Sequence, residues 1–115
     1  MSVPELLDDD GYPTEVALAL ISDWRTSTPV DFRPWFALIK SAWWNPEWGW
    51  SEEGGIADDA LGSRGGTIRR YLISTGGWSG NESLIGAMQK NRFAWMFTWE
   101  QSRRGGHYIF DARES

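Results

Sequence analysis

A glycine-rich loop at residues 74–82, with the sequence STGGWSGNE, separates a strand-like segment from a helix-like one. The strand is predicted over residues 68–74 and the helix over residues 81–90. Such a loop leaves backbone N–H groups without partners at a helix start, where the helix dipole favours an anion. It therefore predicts either an anion-binding nest or a tight turn followed by a helix N-cap at Asn81.

A second polar turn, residues 102–107 (SRRGGH), supplies two arginines and the only histidine of the chain. Alternating residues predict a strand over 93–102 and another over 107–112, joined as a hairpin. Short connections on both sides of the helix favour a right-handed crossover, with the 93–102 strand parallel to the first strand. Because parallel strands end at one edge of a sheet, the glycine loop and the hairpin turn are predicted to meet there.

The remaining elements predict a single α+β domain. Thr14 can cap a first helix, and a second helix is expected to begin near Asp31. Residues 1–13 are assigned to an acidic tail and residues 14–112 to the domain. Residues 45–66 show no sustained period and are assigned to a long loop, either a lid or interface or a disordered segment. The predicted fold is two N-terminal helices packed on a small three-stranded mixed sheet, in the order strand, helix, hairpin.

Charge is distributed unevenly in this chain of net charge −5. Residues 1–60 contain twelve acids and three bases, whereas residues 61–115 contain four acids and eight bases. This asymmetry predicts either a charged partner or attraction between the two halves of one domain. The acidic balance argues against direct nucleic-acid binding. The sequence also shows neither a secretory signal nor an apolar run long enough to cross a membrane, which favours a cytoplasmic protein.

Nine tryptophans are more than a core of this size accommodates easily, so some are expected at the surface. Trp43 falls on the apolar stripe of the second helix and is assigned to the core. Trp78, in the glycine loop, is assigned to the surface. Three others are predicted to form a lid or interface, namely Trp44, Trp48 and Trp50.

The two polar turns together define the predicted binding site. The loop lacks the spacing of a Walker A motif or of a nucleophile elbow. His107 and Glu82 are the candidate catalytic bases, and a structural role explains each of them as well. Without cysteine, thiolate metal sites are excluded, and no metal site or cofactor is predicted. The candidate ligand contacts are Ser74, Thr75, Gly76, Gly77, Trp78, Ser79, Asn81, Arg103, Arg104 and His107.

Three motifs carry a resemblance to known sequences: residues 44–50 (WNPEWGW), 74–82 (STGGWSGNE) and 102–108 (SRRGGHY). Together they resemble small proteins encoded by tailed bacteriophages and prophages. The resemblance implies a bacterial cytoplasm and assigns no activity or functional residue.

The function expected from the residues is a binding protein that holds an anionic small molecule, nucleotide-like or carboxylated, at the two turns. In a phage setting it would modulate host metabolism or defence. One alternative is a small hydrolase or transferase that uses the same cleft. Another is an inhibitor that binds a host protein through the tryptophan surface or the acidic half. The oligomeric state is left open.

Overall fold

The computed structural model describes residues 6–25, 32–57 and 67–113. Those residues form five helices and one four-stranded sheet. The strand order is β1-β2-β4-β3, and every neighbouring pair is antiparallel. The elements are α1 (Glu15–Ser22), α2 (Arg33–Ala42), α3 (Pro46–Gly49), β1 (Trp50–Ala57), β2 (Thr67–Ser74), α4 (Ser79–Lys90), α5 (Arg92–Thr98), β3 (Trp99–Arg103) and β4 (His107–Arg113).

The class is α+β, but the predicted three-stranded mixed sheet is wrong. Most of the segment predicted as a strand over residues 93–102 is helix α5, and β3 pairs only with β4. The side chain of Asn91 accepts a hydrogen bond from the N–H of Ala94 at 3.2 Å, so this residue ends α4 and caps α5. A short apolar run satisfies helical and strand periods equally well, and the cap decides in favour of the helix.

A second correction concerns the predicted loop over residues 45–66, which contains strand β1. This strand pairs with β2 from Trp50 opposite Ile73 to Ala57 opposite Thr67, with a register shift between Glu53 and Ile56. Gly55 lies within that irregularity, with φ of 67°. This register shift interrupts the alternation of inward- and outward-facing side chains by which a strand is recognised in a sequence. Residues 58–66 of the predicted loop lie outside the described residues.

The two N-terminal helices are confirmed, and their inner faces form much of the core. The hydroxyl of Thr14 accepts a hydrogen bond from the N–H of Ala17 at 3.2 Å, as expected of an N-cap. Trp35 of α2 is fully buried and donates its Nε1–H to the carbonyl of Ile21 at 3.0 Å, which joins α2 to α1. Phe36 stacks on Tyr71 of β2 with ring centroids 4.1 Å apart, which places the helices against the sheet.

Two methionines provide a matched test of this packing. Met88 of α4 is fully buried, whereas Met96 of α5 is 71% exposed. We expect Met88→Ala to lower the free energy of unfolding by about 2–5 kcal/mol, because it opens a cavity in the core. Met96→Ala is expected to change it by less than about 0.5 kcal/mol. Urea denaturation of both variants measures the difference, and equal effects would contradict the assigned core.

Glu52 of β1 links the sheet to α2 through charge. Burial alone would raise the pKa of Glu52, but hydrogen bonds from Arg69 and Trp50 and the charges of Lys40 and Arg69 lower it below the ordinary value. Because the unfolded chain holds this proton more tightly, Glu52 stabilises the fold above the unfolded-state pKa. That contribution is lost as the pH falls through the lowered, folded-state pKa.

We therefore expect Glu52→Gln to lower stability at pH 7 and to reduce the loss of stability on acidification. The physical reason is that glutamine keeps the shape of the side chain but has no proton to take up. Urea midpoints of wild type and variant, measured between about pH 7 and 3, test this. If the urea midpoints of wild type and variant fall in parallel over this whole pH range, Glu52 does not contribute to the loss of stability in acid.

Candidate functional site

The glycine loop is a tight turn between β2 and α4. Gly76 and Gly77 have φ of 65° and 75°, and the N–H of Trp78 donates to the carbonyl of Thr75 at 3.1 Å. Two successive residues in the left-handed region explain why both positions are glycine. Helix α4 then begins at Ser79, with Trp78 as the N-cap and no side-chain capping bond. The predicted N-cap role of Asn81 is therefore wrong.

The structure places the glycine loop beside the hairpin turn, by a different route from the predicted one. Strand β2 runs antiparallel to β4, and Ser74 at the end of β2 lies opposite His107 at the start of β4. The N–H of Thr75 donates to the carbonyl of Gly106 at 3.0 Å. Oγ of Ser74 and Nδ1 of His107 are 2.6 Å apart. The end of one antiparallel strand meets the start of its neighbour, so no parallel strand is needed.

Asn81 fastens a third segment to this loop. Its side chain is 2% exposed, and Oδ1 accepts a hydrogen bond from the N–H of Trp44 at 2.8 Å. Nδ2 donates to the carbonyls of Trp44 at 3.1 Å and of Thr75 at 3.4 Å. Both donors of the amide are thus used within the protein. Asn81, predicted as a ligand contact, instead positions the backbone of Trp44 against the loop.

The segment held by Asn81 carries two exposed tryptophans. Trp44 and Trp48 are 46% and 65% exposed, which agrees with the predicted surface position, and their role as a lid stays a prediction. A Cβ atom added at Gly76 would lie 2.9 Å from Cζ3 of Trp48, so this indole lies directly over the loop. Trp50 does not belong to the lid. It is 7% exposed, and its ring packs edge-on against Trp43 with centroids 5.5 Å apart.

An open pocket of about 230 Å³ lies between these parts, and Asn45 is the lining residue that the sequence did not indicate. Asn45 adopts φ 56° and ψ 55°, and it is the only non-glycine residue with positive φ in the described ranges. Backbone strain of this kind concentrates at functional sites. Its side chain forms no hydrogen bond with the described residues. The lining is Trp44, Asn45, Trp48, Thr75, Gly76 and Asn81.

The start of α4 is covered by the N-terminal segment. Trp78 packs against both Trp44 and Tyr12 with tilted rings, whose centroids are 5.1 and 4.7 Å away. Oγ of Ser79 donates to the hydroxyl of Tyr12 at 3.3 Å. Trp78 and Ser79, predicted as ligand contacts, therefore hold residues 6–13 in place. Gly80 and Asn81 are buried at this helix start, whereas Gly76 and Gly77 of the glycine turn are exposed.

None of the charged candidates lines this pocket. Arg103 and Arg104 are exposed at the hairpin turn, and Nε of Arg103 donates to Oε1 of Gln101 at 2.9 Å. Glu82 is exposed on α4. Within the described ranges, no carboxylate contacts His107, and no group of three or more histidine, aspartate and glutamate side chains could hold a metal ion.

No family model, curated protein or solved structure matches this chain. The resemblance to phage proteins therefore remains a prediction. None of the helices in the described ranges combines the length and the apolar character needed to cross a membrane.

Proposed function

We propose that the protein is a binding protein for a small anionic ligand that contains a ring, as nucleotides do. The main support is the position of Trp48 over Gly76, in a loop that is hydrogen-bonded through Thr75 to the arginine-bearing turn. The backbone of the tryptophan pocket and that of the arginine-bearing turn are therefore in direct contact. The ring occupies the pocket, and the anionic group extends toward the turn.

The indoles of Trp44 and Trp48 provide the binding energy for the ring. Stacking of a base on an aromatic side chain contributes about 1–3 kcal/mol, with little dependence on which base is bound. The pocket of about 230 Å³ lies below the range of about 300–1,000 Å³ typical of drug-sized ligands. It therefore suits a single ring system. The amide of Asn45, which forms no hydrogen bond with the described residues, is the polar group that would orient that ring.

Arg103 and Arg104 provide the binding energy for the anionic group. Guanidinium groups bind phosphate and carboxylate through paired hydrogen bonds, which suits an exposed turn with two adjacent arginines. No aspartate or glutamate lines the pocket, so nothing in the lining repels an anion. The ring and the anion thus make separate contributions, and each can be removed separately.

Calorimetric titration with a nucleoside monophosphate, the matching nucleoside and inorganic phosphate tests both contributions. We expect Trp48→Ala to weaken nucleotide binding about tenfold or more, in line with the loss of one stacking contact. The double variant Arg103→Ala/Arg104→Ala should weaken binding of the nucleotide and leave binding of the nucleoside unchanged. Phe97→Ala and Arg92→Ala, at exposed positions of α5, serve as matched controls.

Two outcomes would overturn the proposal. One is that wild type binds none of the three compounds, since the pocket would then hold no ligand of this class. The other is that Trp48→Ala binds the nucleotide as tightly as Phe97→Ala does. Equal binding would show that the exposed indole is not the stacking surface.

A hydrolase that uses the same cleft is a second candidate, and the pairing of Ser74 with His107 is the observation that favours it. A hydroxyl within 2.6 Å of an imidazole nitrogen has the geometry of a nucleophile and its general base. Hydrolysis of a simple activated ester should then fall by at least about 100-fold in both Ser74→Ala and His107→Ala. Rates that match wild type would leave this pair as a cross-strand hydrogen bond.

A further inference from the structure

A row of polar side chains crosses three strands at the end of the sheet where β3 turns into β4. Ser74 of β2 pairs with His107 of β4, and His107 pairs with Arg103 of β3. Directly opposite residues of antiparallel strands project to the same face, with Cβ atoms about 4.5–5.5 Å apart. Ser74, His107 and Arg103 therefore lie side by side on one face of the sheet, and we call them the polar row.

The polar row lies on the face of the sheet that is turned away from the core. Successive residues of a strand point to opposite faces, and Tyr108, which follows His107, packs on an aromatic ring of α5. Ile73, which precedes Ser74, is buried in the core. His107 and Arg103 are both exposed, so a ligand in solution can reach them.

The positive charge of the polar row is not neutralised by an acid. Nε of Arg103 donates to Oε1 of Gln101 at 2.9 Å, and this neutral partner leaves the other four guanidinium N–H donors unused. Arg103 forms no ion pair with any described residue. Arg70, on the same face, instead donates to both carboxylate oxygens of Asp111 at 2.8 and 3.0 Å. Arg103 thus has donors available to an anion, whereas Arg70 is neutralised.

Ser74 orients the imidazole of His107 and leaves one ring nitrogen for a ligand. Oγ of Ser74 lies 2.6 Å from Nδ1. When the hydroxyl donates this bond, the ring proton lies on Nε2, which is then a donor. Nε2 has no hydrogen-bond partner among the described residues. A Cβ atom added at Gly105 would lie 3.3 Å from Nε2, so glycine at this position keeps a side chain away from that donor.

We propose that the polar row binds a terminal phosphate monoester, and that this phosphate is the anionic group of the ligand. The inference rests on the proposed function and assigns the charged end of its ligand to two side chains. The planar guanidinium of Arg103 binds two phosphate oxygens, and Nε2 of His107 donates to the third. A carboxylate has only two oxygens, so it would be bound by Arg103 and leave His107 unused. His107 is therefore the residue that distinguishes a phosphate from a carboxylate.

Arg104 carries the same charge as Arg103 but is not part of the polar row. The last residue pair between β3 and β4 is Arg103 opposite His107, and Arg104 follows in the turn. Its side chain forms no hydrogen bond or ion pair with a described residue. Fixing an unrestrained arginine on a ligand costs side-chain entropy. We therefore expect Arg104 to contribute less to phosphate binding than Arg103 does.

Calorimetric titration of single variants tests this assignment, with a nucleoside monophosphate and the same nucleoside carrying a carboxylate in place of the phosphate. We expect Arg103→Ala and His107→Ala each to weaken monophosphate binding about tenfold or more, the loss expected for a charged hydrogen bond. Arg104→Ala should weaken it about threefold or less, as for an exposed charge. Arg92→Ala removes a cation from α5 and should have no effect. Binding of the carboxylate should not change in His107→Ala.

His107→Gln separates phosphate binding from the hydrolytic role considered above. Glutamine keeps an N–H donor but cannot act as a base. The variant should therefore bind the monophosphate more tightly than His107→Ala does. Urea denaturation of each variant confirms that it is folded before binding is compared.

The outcomes that overturn this assignment differ from those that overturn the proposed function. Equal losses in Arg103→Ala and Arg104→Ala would show attraction by the charge of the turn as a whole. Unchanged monophosphate binding in His107→Ala, or equal binding in His107→Gln and His107→Ala, would show that Nε2 does not contact the phosphate. In each of these cases, nucleotide binding that depends on Trp48 would persist. Absence of nucleotide binding in wild type would overturn the proposed function itself, and this assignment with it.

Discussion

Replacing Asn81 with leucine is expected to lower the free energy of unfolding by about 3 kcal/mol or more. The substitution removes the partner of three backbone groups, namely the N–H and carbonyl of Trp44 and the carbonyl of Thr75. A buried polar group that loses its partner costs about 1–3 kcal/mol, and these groups are partly or fully buried. Leucine has as many side-chain heavy atoms as asparagine, so the substitution opens no cavity and the loss reports the missing hydrogen bonds.

Urea denaturation measures this effect, and Ser83→Ala provides the control on the same helix. The hydroxyl of Ser83 donates to the carbonyl of Ser79 at an exposed position, where water replaces the bond at little cost. Asn81→Leu should also weaken ligand binding at the tryptophan pocket, because Trp44 is no longer fastened to the loop. A loss in Asn81→Leu no larger than that in Ser83→Ala would show that the amide does not hold these segments together.

Gly106→Ala is the second substitution expected to have a large effect, and Gly77→Ala is its matched control. Both glycines have positive φ, 77° and 75°, so alanine incurs a similar backbone penalty of about 1–2 kcal/mol at each. A Cβ atom at Gly77 would meet nothing within 4 Å. At Gly106 it would overlap Oγ1 of Thr75, where the hairpin turn contacts the glycine loop.

The difference between these two variants therefore isolates the contact between the turns. We expect Gly106→Ala to cost about 1–3 kcal/mol more than Gly77→Ala, the range for overpacking at a tight contact. Thermal or urea denaturation of both variants measures it. If the two variants lose the same stability, the backbone penalty explains both, and the turns are not in contact at this point.

Local sequence signals predicted most of the elements but not how they connect. The spacing of apolar residues and the turn residues predict five elements, namely helices α1, α2 and α4 and strands β2 and β4. Thr14 caps α1 as predicted. Helix α5 was missed because its start depends on a cap by Asn91, which also bonds to the carbonyls of Ile21 and Trp24. Those two contacts join residues 70 and 67 positions apart in the chain, so they leave no local pattern.

For the candidate site, the sequence predicts the exposure of some residues but not the contacts that hold them in place. The exposure of Trp44 and Trp48 is among the predicted features. The spacing of apolar residues alone does not show that Trp50 begins a strand and faces the core. The role of Asn81 depends on Trp44, 37 residues earlier in the chain. The packing of the N-terminal segment on the start of α4 depends on Tyr12, which lies 67 residues before Ser79 in the chain. Contacts over such separations arise from packing, which a single sequence does not show.

The chain contains no cysteine, so a single pair of cysteines can report whether β2 and β4 bring the loop and the hairpin turn together. Ser74 and His107 are direct cross-strand neighbours, a relation that sets Cα atoms about 4.5–5.5 Å apart, within reach of a disulfide. After mild oxidation, Ser74→Cys/His107→Cys should contain one intramolecular disulfide and no reactive thiol, while Ser83→Cys/His107→Cys keeps both thiols. Two free thiols in the first variant as well would contradict the antiparallel pairing and, with it, the proposed binding site.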